Sequence, residues 1–231
     1  MAGNNGGEKS ENNAKGVRNR RRPGRPAGGN KSADKRDLLL DSALKLFSTQ
    51  GIAQTSLSAI TADAGVTSAM LHYYFKNREQ LLDVLIDERY LPVRSSMGGV
   101  FEQYPDDPVK ALTALTQKFI TVSLEHPWFA PLWIREVLSE SGLLRERIDA
   151  RAGIKEKKSA LMWIQKWQDE GRLNPGLQPE FLFISLFGLT LLPVARLQHE
   201  WRKGERSLTA QMLSRHIEAL LTSGVGGKTA S

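Results

Sequence analysis

Cysteine is absent from the 231 residues of this chain, and histidine occurs only four times. The first absence excludes a disulfide framework and thiolate chemistry, and it fits a reducing cytoplasm. The four histidines, at 72, 126, 199 and 216, show no metal-ligand spacing with carboxylates. There is no Gly-x-Ser-x-Gly elbow, and the glycines of "AGGNKS" lack the phosphate-loop pattern and follow no strand. With no constellation that carries chemistry, an enzyme is not expected, and no cofactor or metal is implied. There is no run of about 18 apolar residues, so no membrane span is expected. The basic N-terminus has no apolar stretch behind it and does not read as a secretory signal. Alternating strand patterns and internal repeats are missing as well, which leaves an all-α fold.

Acidic residues are scarce only at one end. Residues 1–36 hold ten Lys/Arg and three Asp/Glu, a net charge of 10 − 3 = +7. The whole chain is 32 − 25 = +7, so residues 37–231 balance at 22 − 22 = 0. The excess is concentrated in "GVRNRRRPGRPAGG", which carries Arg18, Arg20, Arg21, Arg22 and Arg25. With hardly any large apolar residue, residues 1–34 cannot offset their ordering entropy and are expected to be disordered in isolation. A basic tail of this kind points to a polyanionic partner, or more plainly to a solubilising tail.

Beyond the arm the pattern turns helical. In "LLLDSALKLFSTQG", Leu40, Ala43, Leu44 and Phe47 recur at i, i+3, i+4 and i+7, and Gly51 is a natural stop. Leu57, Ile60 and Ala64 mark a second, short helix that Thr55 or Ser56 can cap and Gly65 ends. A third starts at once with Thr67 as N-cap, placing Leu71 and Phe75 on one side and Ala69, His72 and Tyr73 on the other. Asn77 followed by Gln80 resembles a capping box and opens "REQLLDVLIDERYL". Further helices are expected from Asp107-Pro108 to about Leu124, from Pro127 to about Ser139, over 144–171, from Pro179 and over 207–222.

Two short helices joined by a tight turn match the helix-turn-helix arrangement, whose second helix fits a major groove. Such pairs also occur as ordinary core packing. At these residues the sequence becomes recognisable. "TSLSAITADAGVTSAMLHYYFKNREQLL" resembles the DNA-binding domain of the TetR family of bacterial transcriptional regulators, over roughly residues 35–90. Thr55, Ile60, Ala64, Gly65, Val66, Leu71, Tyr74, Phe75, Glu79 and Leu81 match the family pattern in register. Thr61, Thr67, Ala69, Met70 and His72 depart from it without threatening the fold.

The resemblance implies a sequence-specific regulator, a repressor released by a small effector, working as a homodimer on a palindromic double-stranded operator. It implies that Ser56 and the helix front Thr67, Ser68, Ala69 and Met70 approach DNA, with His72, Tyr73, Tyr74, Lys76 and Arg78 reaching the phosphates. It places the protein in the cytoplasm, at the nucleoid. Residues 37–90 carry Lys45, Lys76, Arg78 and Arg89 against seven acids, a net of −3, so the basic arm would supply the long-range attraction. "RRPGRP" weakly resembles an AT-hook core, and Arg18 to Arg25 would then lie in a minor groove. An architectural protein with little sequence preference, using that arm alone, is the alternative.

Residues 92–223 are expected to form a helical effector-binding and dimerisation domain, with residues 224–231 a disordered tail. All five tryptophans, 128, 133, 163, 167 and 201, fall there. Trp128, Trp133, Trp163 and Trp167, with Phe119, Phe129, Met162 and Phe187, would line a pocket for an apolar or aromatic effector, or simply form core. His126, Arg135 and Glu136 could orient such a ligand or serve as surface or caps. "EFLFISLFGLTLLPVARLQ", apolar nearly all round, and the last helix are the expected dimer seam.

Overall fold

The computed structural model describes residues 29–138, 143–203 and 208–223, and every regular element among them is helical. The arginines of the arm and the tail at 224–231 lie outside the described residues. Helix α1 runs Gly29–Gln50 and buries Leu39, Leu40, Ala43, Leu44 and Phe47. It therefore takes in residues 29–34, which composition alone assigns to the arm. Once its apolar half is anchored, adding a turn fixes one hydrogen bond per residue at little further cost.

Gly51, at φ +92, breaks α1 in a conformation that side chains disfavour. Then come α2 (Leu57–Ala64), α3 (Ser68–Tyr74) and α4 (Arg78–Leu85). Ile60, Leu71, Phe75, Leu81, Leu82 and Leu85 close over the apolar face of α1. Helix α4 does not stop. It passes through a π-turn, Ile86–Tyr90, into α5, Leu91–Ser95. Pro92 survives inside this rod because the wider turn before it makes room near the Glu88 carbonyl, where a proline ring would otherwise clash. The rod crosses the boundary expected at 91/92.

After the short α6 (Val100–Gln103), α7 (Pro108–Glu125) starts as its sequence dictates. The Asp107 carboxylate accepts from Lys110 N–H at 2.9 Å, with proline at the first helical position. Helix α8 (Phe129–Leu132) leads into a second π-turn, Trp133–Val137. Next are α9 (Arg145–Ile148), a third π-turn Asp149–Gly153, and α10, Ile154–Asp169. The last two helices, α11 (Pro179–Lys203) and α12 (Ala210–Ser223), pack on α7. Buried apolar side chains form one connected cluster from Leu39 to Ile217, so both halves of the chain share a core.

Helix α11 corrects the expectation about apolar runs. Pro179–Gln198 has a mean hydropathy of 1.7, long and apolar enough to cross a membrane by length and composition. Scattered polar residues, Glu180, Ser185, Thr190 and Arg196, keep the run from being unbroken. Its inner face is spent on the core through Leu186, Leu191 and Val194. Two polar groups on that face are satisfied: Thr190 donates to Leu186 O at 2.7 Å, and Gln198 donates to Ser123 O at 2.9 Å.

Candidate nucleic-acid interface

The α2–α3 unit is fixed by local hydrogen bonds that its sequence encodes. Ser56 caps α2, its hydroxyl accepting from Ala59 N–H at 3.1 Å. Gly65 ends α2 at φ 64, and the Val66 N–H reaches Thr61 O at 3.0 Å, closing the turn. Thr67 caps α3 with a longer bond, 3.4 Å from Met70 N–H. On the far side, Asn77 accepts from Gln80 N–H at 2.9 Å, while Gln80 accepts from Lys76 N–H at 2.7 Å. That second bond reaches one residue further out than a standard capping box.

These caps orient α3 with Leu71 and Phe75 fully inside and Thr67, Ser68, Ala69, His72 and Tyr73 outside. Tyr73 is 80% exposed, an unusual position for a large ring in a seven-residue helix. Its ring stands edge-on to that of half-buried Tyr74, with centroids 5.1 Å apart. Met70 is half-buried and Lys76 exposed. Arg78 is half-buried, and its Nη2 has no hydrogen-bond partner among the described residues. The face so formed is uncharged at its centre, with cations at the edge, suited to base contacts flanked by phosphate contacts.

One neighbour of this face escaped the sequence reading. Lys35, exposed near the start of α1, brings its Nζ to 3.8 Å from Met70 Sδ. The charge therefore stands beside the front of α3, and α1 leads back from it toward the basic arm. The only sequence signal was its place at the end of the basic run.

The scaffold behind α3 is tied by ion pairs. Arg36 donates to both Glu88 oxygens and lies over the Phe75 ring, 5.7 Å from its centroid. The bond from Arg36 holds the Glu88 carboxyl below its ordinary range. Lys45 and a further bond from Ser42 lower that of Asp63 in the same way. Arg89 reaches Asp37 and Asp41 of α1. On the other side of the rod, Arg147 and Arg151 both hold Asp83 at 2.7 Å. Burial pushes the Asp83 carboxyl up, but the two guanidinium bonds outweigh it, and the net shift is downward.

The expected effector-lining set does not converge. Its rings fall into separate groups: Phe119 and Trp133 against Phe187, Trp163 against Trp167, and Trp128 against Phe129. Phe119, Phe129 and Trp167 are core, and Trp167 Nε1 donates to Pro105 O at 2.7 Å. Half-buried Trp163 donates to Glu102 at 3.2 Å. Met162 is 71% exposed, because one residue along α10 from Trp163 turns about 100° toward solvent. Glu136 is buried against the α1–α2 turn, while Arg135 is exposed. An open cavity of about 590 Å³ lies elsewhere, where α1, the rod and the end of α7 meet. Asp41, Glu88, Arg89, Lys118 and Glu125 line it beside Leu44, Val93, His126 and Trp128, and Trp128 alone of the expected set is there.

A capped, two-helix unit presenting an uncharged polar face from a tied scaffold has the arrangement of a helix-turn-helix DNA-binding protein. Residues 39–85 match the family described as bacterial regulatory proteins of the tetR family, and residues 96–218 match the YcdC-like protein C-terminal region. The chain is 30% identical over 158 residues to the HTH-type transcriptional regulator RutR of Escherichia coli K12, covering 68% of this chain and 72% of RutR. It is 22% identical over 198 residues to the HTH-type transcriptional repressor KstR2 of Mycolicibacterium smegmatis, covering 84% and 91%. Its fold is similar to that of FadR from Bacillus subtilis in complex with stearoyl-CoA, with a TM-score of 0.58, 20% identity and coverage of 82% and 99%. The chain belongs to the TetR family. It is a sequence-specific DNA-binding transcriptional regulator, and its relatives are regulatory proteins rather than enzymes.

Proposed function

We propose that this protein is a cytoplasmic homodimeric repressor whose two α3 helices read the half-sites of a palindrome, and that a small ligand with an apolar body releases it. The observation that carries the reading is the exposed face of α3, Ser68, Ala69, His72 and Tyr73, held outward by buried Leu71 and Phe75. Ser68 offers a hydroxyl to base edges or phosphates, Ala69 and Met70 offer apolar contact to thymine methyls, and Tyr73, Lys76 and Lys35 serve the phosphates.

The dimer seam is the outer face of α11. Phe181, Ile184 and Leu192 stand exposed on one stripe with Gly188, where an added Cβ would meet nothing. Met212 of α12 and Leu208 just before it are exposed as well. The effector reading draws support from FadR, crystallised with stearoyl-CoA. The arm from Arg18 to Arg25 adds phosphate or minor-groove contacts beside the operator.

Selection of bound fragments from random duplex DNA tests this reading, using the full chain and a chain starting at Gly29. Both are expected to enrich one palindrome, the full chain at higher salt. If neither enriches a palindrome, the dimeric-operator reading fails, and arm-driven binding with little sequence preference takes its place. Stearoyl-CoA is the first effector probe, read as loss of operator binding.

A further inference from the structure

We infer that Glu136, far from the DNA-reading helices in sequence, is a positioning residue that sets the helix-turn-helix unit against the C-terminal helices. Glu136 lies in the π-turn Trp133–Val137 and is 6% exposed. Its Oε1 accepts the Ile52 N–H at 2.8 Å, across 84 residues of sequence. Ile52 sits in the turn between α1 and α2, where other polar groups are met locally. Gly51 N–H reaches Phe47 O at 3.0 Å, Thr55 N–H reaches Ile52 O at 3.2 Å, and the Thr55 hydroxyl donates to Gly51 O at 2.7 Å. The Ile52 amide is met from outside, by the C-terminal half of the chain.

Gly51 lies against the same pair. A Cβ added there would first meet Gln54 Oε1 of its own turn at 2.7 Å, then Arg135 Cδ at 3.2 Å and Glu136 Oε1 at 3.4 Å. The two C-terminal side chains are therefore in close contact with the turn. Three residues before Glu136, Trp133 packs on Phe187 with centroids 4.7 Å apart, and Phe187 meets Phe119 at 4.8 Å. One short turn is thus keyed into the α7–α11 core by its tryptophan and into the DNA-reading unit by its carboxylate.

A carboxylate on a backbone amide is directional and weakens steeply when misaligned. Ser56, the cap of α2, follows Ile52 by four residues, so α2 and α3 inherit the orientation of this turn. In a dimer, that orientation sets the separation of the two recognition helices and so the half-site spacing. Glu136 is therefore not available to a ligand, and its role is positional.

The inference rests on the dimeric reading above, and its tests separate the two. The full-length dimer is assayed on its selected palindrome and on versions one base pair longer and shorter. Glu136→Gln keeps an acceptor oxygen and is expected within threefold of the parent, with the same spacing preference. Glu136→Met keeps the bulk without an acceptor. It is expected to lose at least tenfold on the preferred spacing, to bind the three spacings about equally, and to keep its affinity for a single half-site. A residue that merely stabilised the fold would lower binding to all four duplexes together. Parent-like binding by Glu136→Met, with spacing preference intact, overturns the inference. Should that variant not fold, hydrogen exchange of the parent decides: the Ile52 amide is expected to be strongly protected, and exchange at the rate of an open loop amide overturns the contact. Failure to select any palindrome counts against the dimeric reading and leaves the exchange test standing.

Discussion

On α3, neighbouring positions separate exposure from burial. Tyr73 is 80% exposed and Phe75 fully buried, two residues apart. Substituting Tyr73 by Ala leaves the core intact, so unfolding stability should move by less than about 0.5 kcal/mol. Combined with Ser68→Ala, it is expected to abolish sequence-specific binding in a gel-shift assay. Phe75→Ala removes a ring that Arg36 covers and α1 surrounds, and should cost about 3–5 kcal/mol by denaturant unfolding. That is a large share of a typical stability of about 5–15 kcal/mol. If Tyr73→Ala and Phe75→Ala lose stability equally, α3 is not oriented as described. The orientation was legible because helical spacing, Thr67 and Gly65 act locally. The burial of Glu136 was not, because its partner is 84 residues away. Nor did local pattern separate Met162 from Trp163, since both suit an apolar face until packing chooses the phase of α10.

Among whole elements, the rod from Arg78 to Ser95 carries most of the ion pairs around the DNA-reading unit. Its caps and apolar face were written in the sequence, but its passage through Pro92 depends on a π-turn that no local rule announces. Asp83 and Glu88, on this rod, and Asp63 on α2 all titrate below their ordinary values in the folded state. A lowered carboxyl contributes stability that is complete above its unfolded value, near pH 4, and is lost as pH falls through the lower folded value. Thermal stability is therefore expected to be insensitive to these groups from about pH 8 to 5 and to drop below about pH 4. The double variant Arg147→Ala, Arg151→Ala removes the partners of Asp83 and one partner of Asp87. It should lower stability at pH 7 by roughly 1 kcal/mol, since such partly exposed pairs are individually weak. Its acid-induced loss should be shallower than that of the parent. An equally steep loss in both proteins would place the acid sensitivity elsewhere.

For the molecule as a whole, the proposed reading gives charge and symmetry the task of holding DNA. The described half that reads DNA carries −3 over residues 37–90, whereas residues 1–36 carry +7. Lys35 marks where that positive charge meets the recognition helix. Each phosphate neutralised on duplex DNA steepens the dependence of log affinity on log salt by about 0.9. Five arm arginines engaged on phosphates would thus contribute about 4.5 per chain, and double that in a dimer. Removing residues 1–28 spares α1 and is expected to flatten the slope by a few units per chain, with the operator sequence still preferred. An unchanged slope would mean the arm touches no DNA. Symmetry gives the companion measurement. Ile184→Asp places a charge on the exposed α11 stripe beside Phe181, where a second copy would bury it unpaired. The variant should be monomeric by light scattering. It should keep its affinity for one half-site and lose about 10²–10⁴-fold on the palindrome, the avidity that linkage supplies. If Ile184→Asp remains dimeric, the seam lies off this stripe, and the apolar surface of α11 needs another occupant.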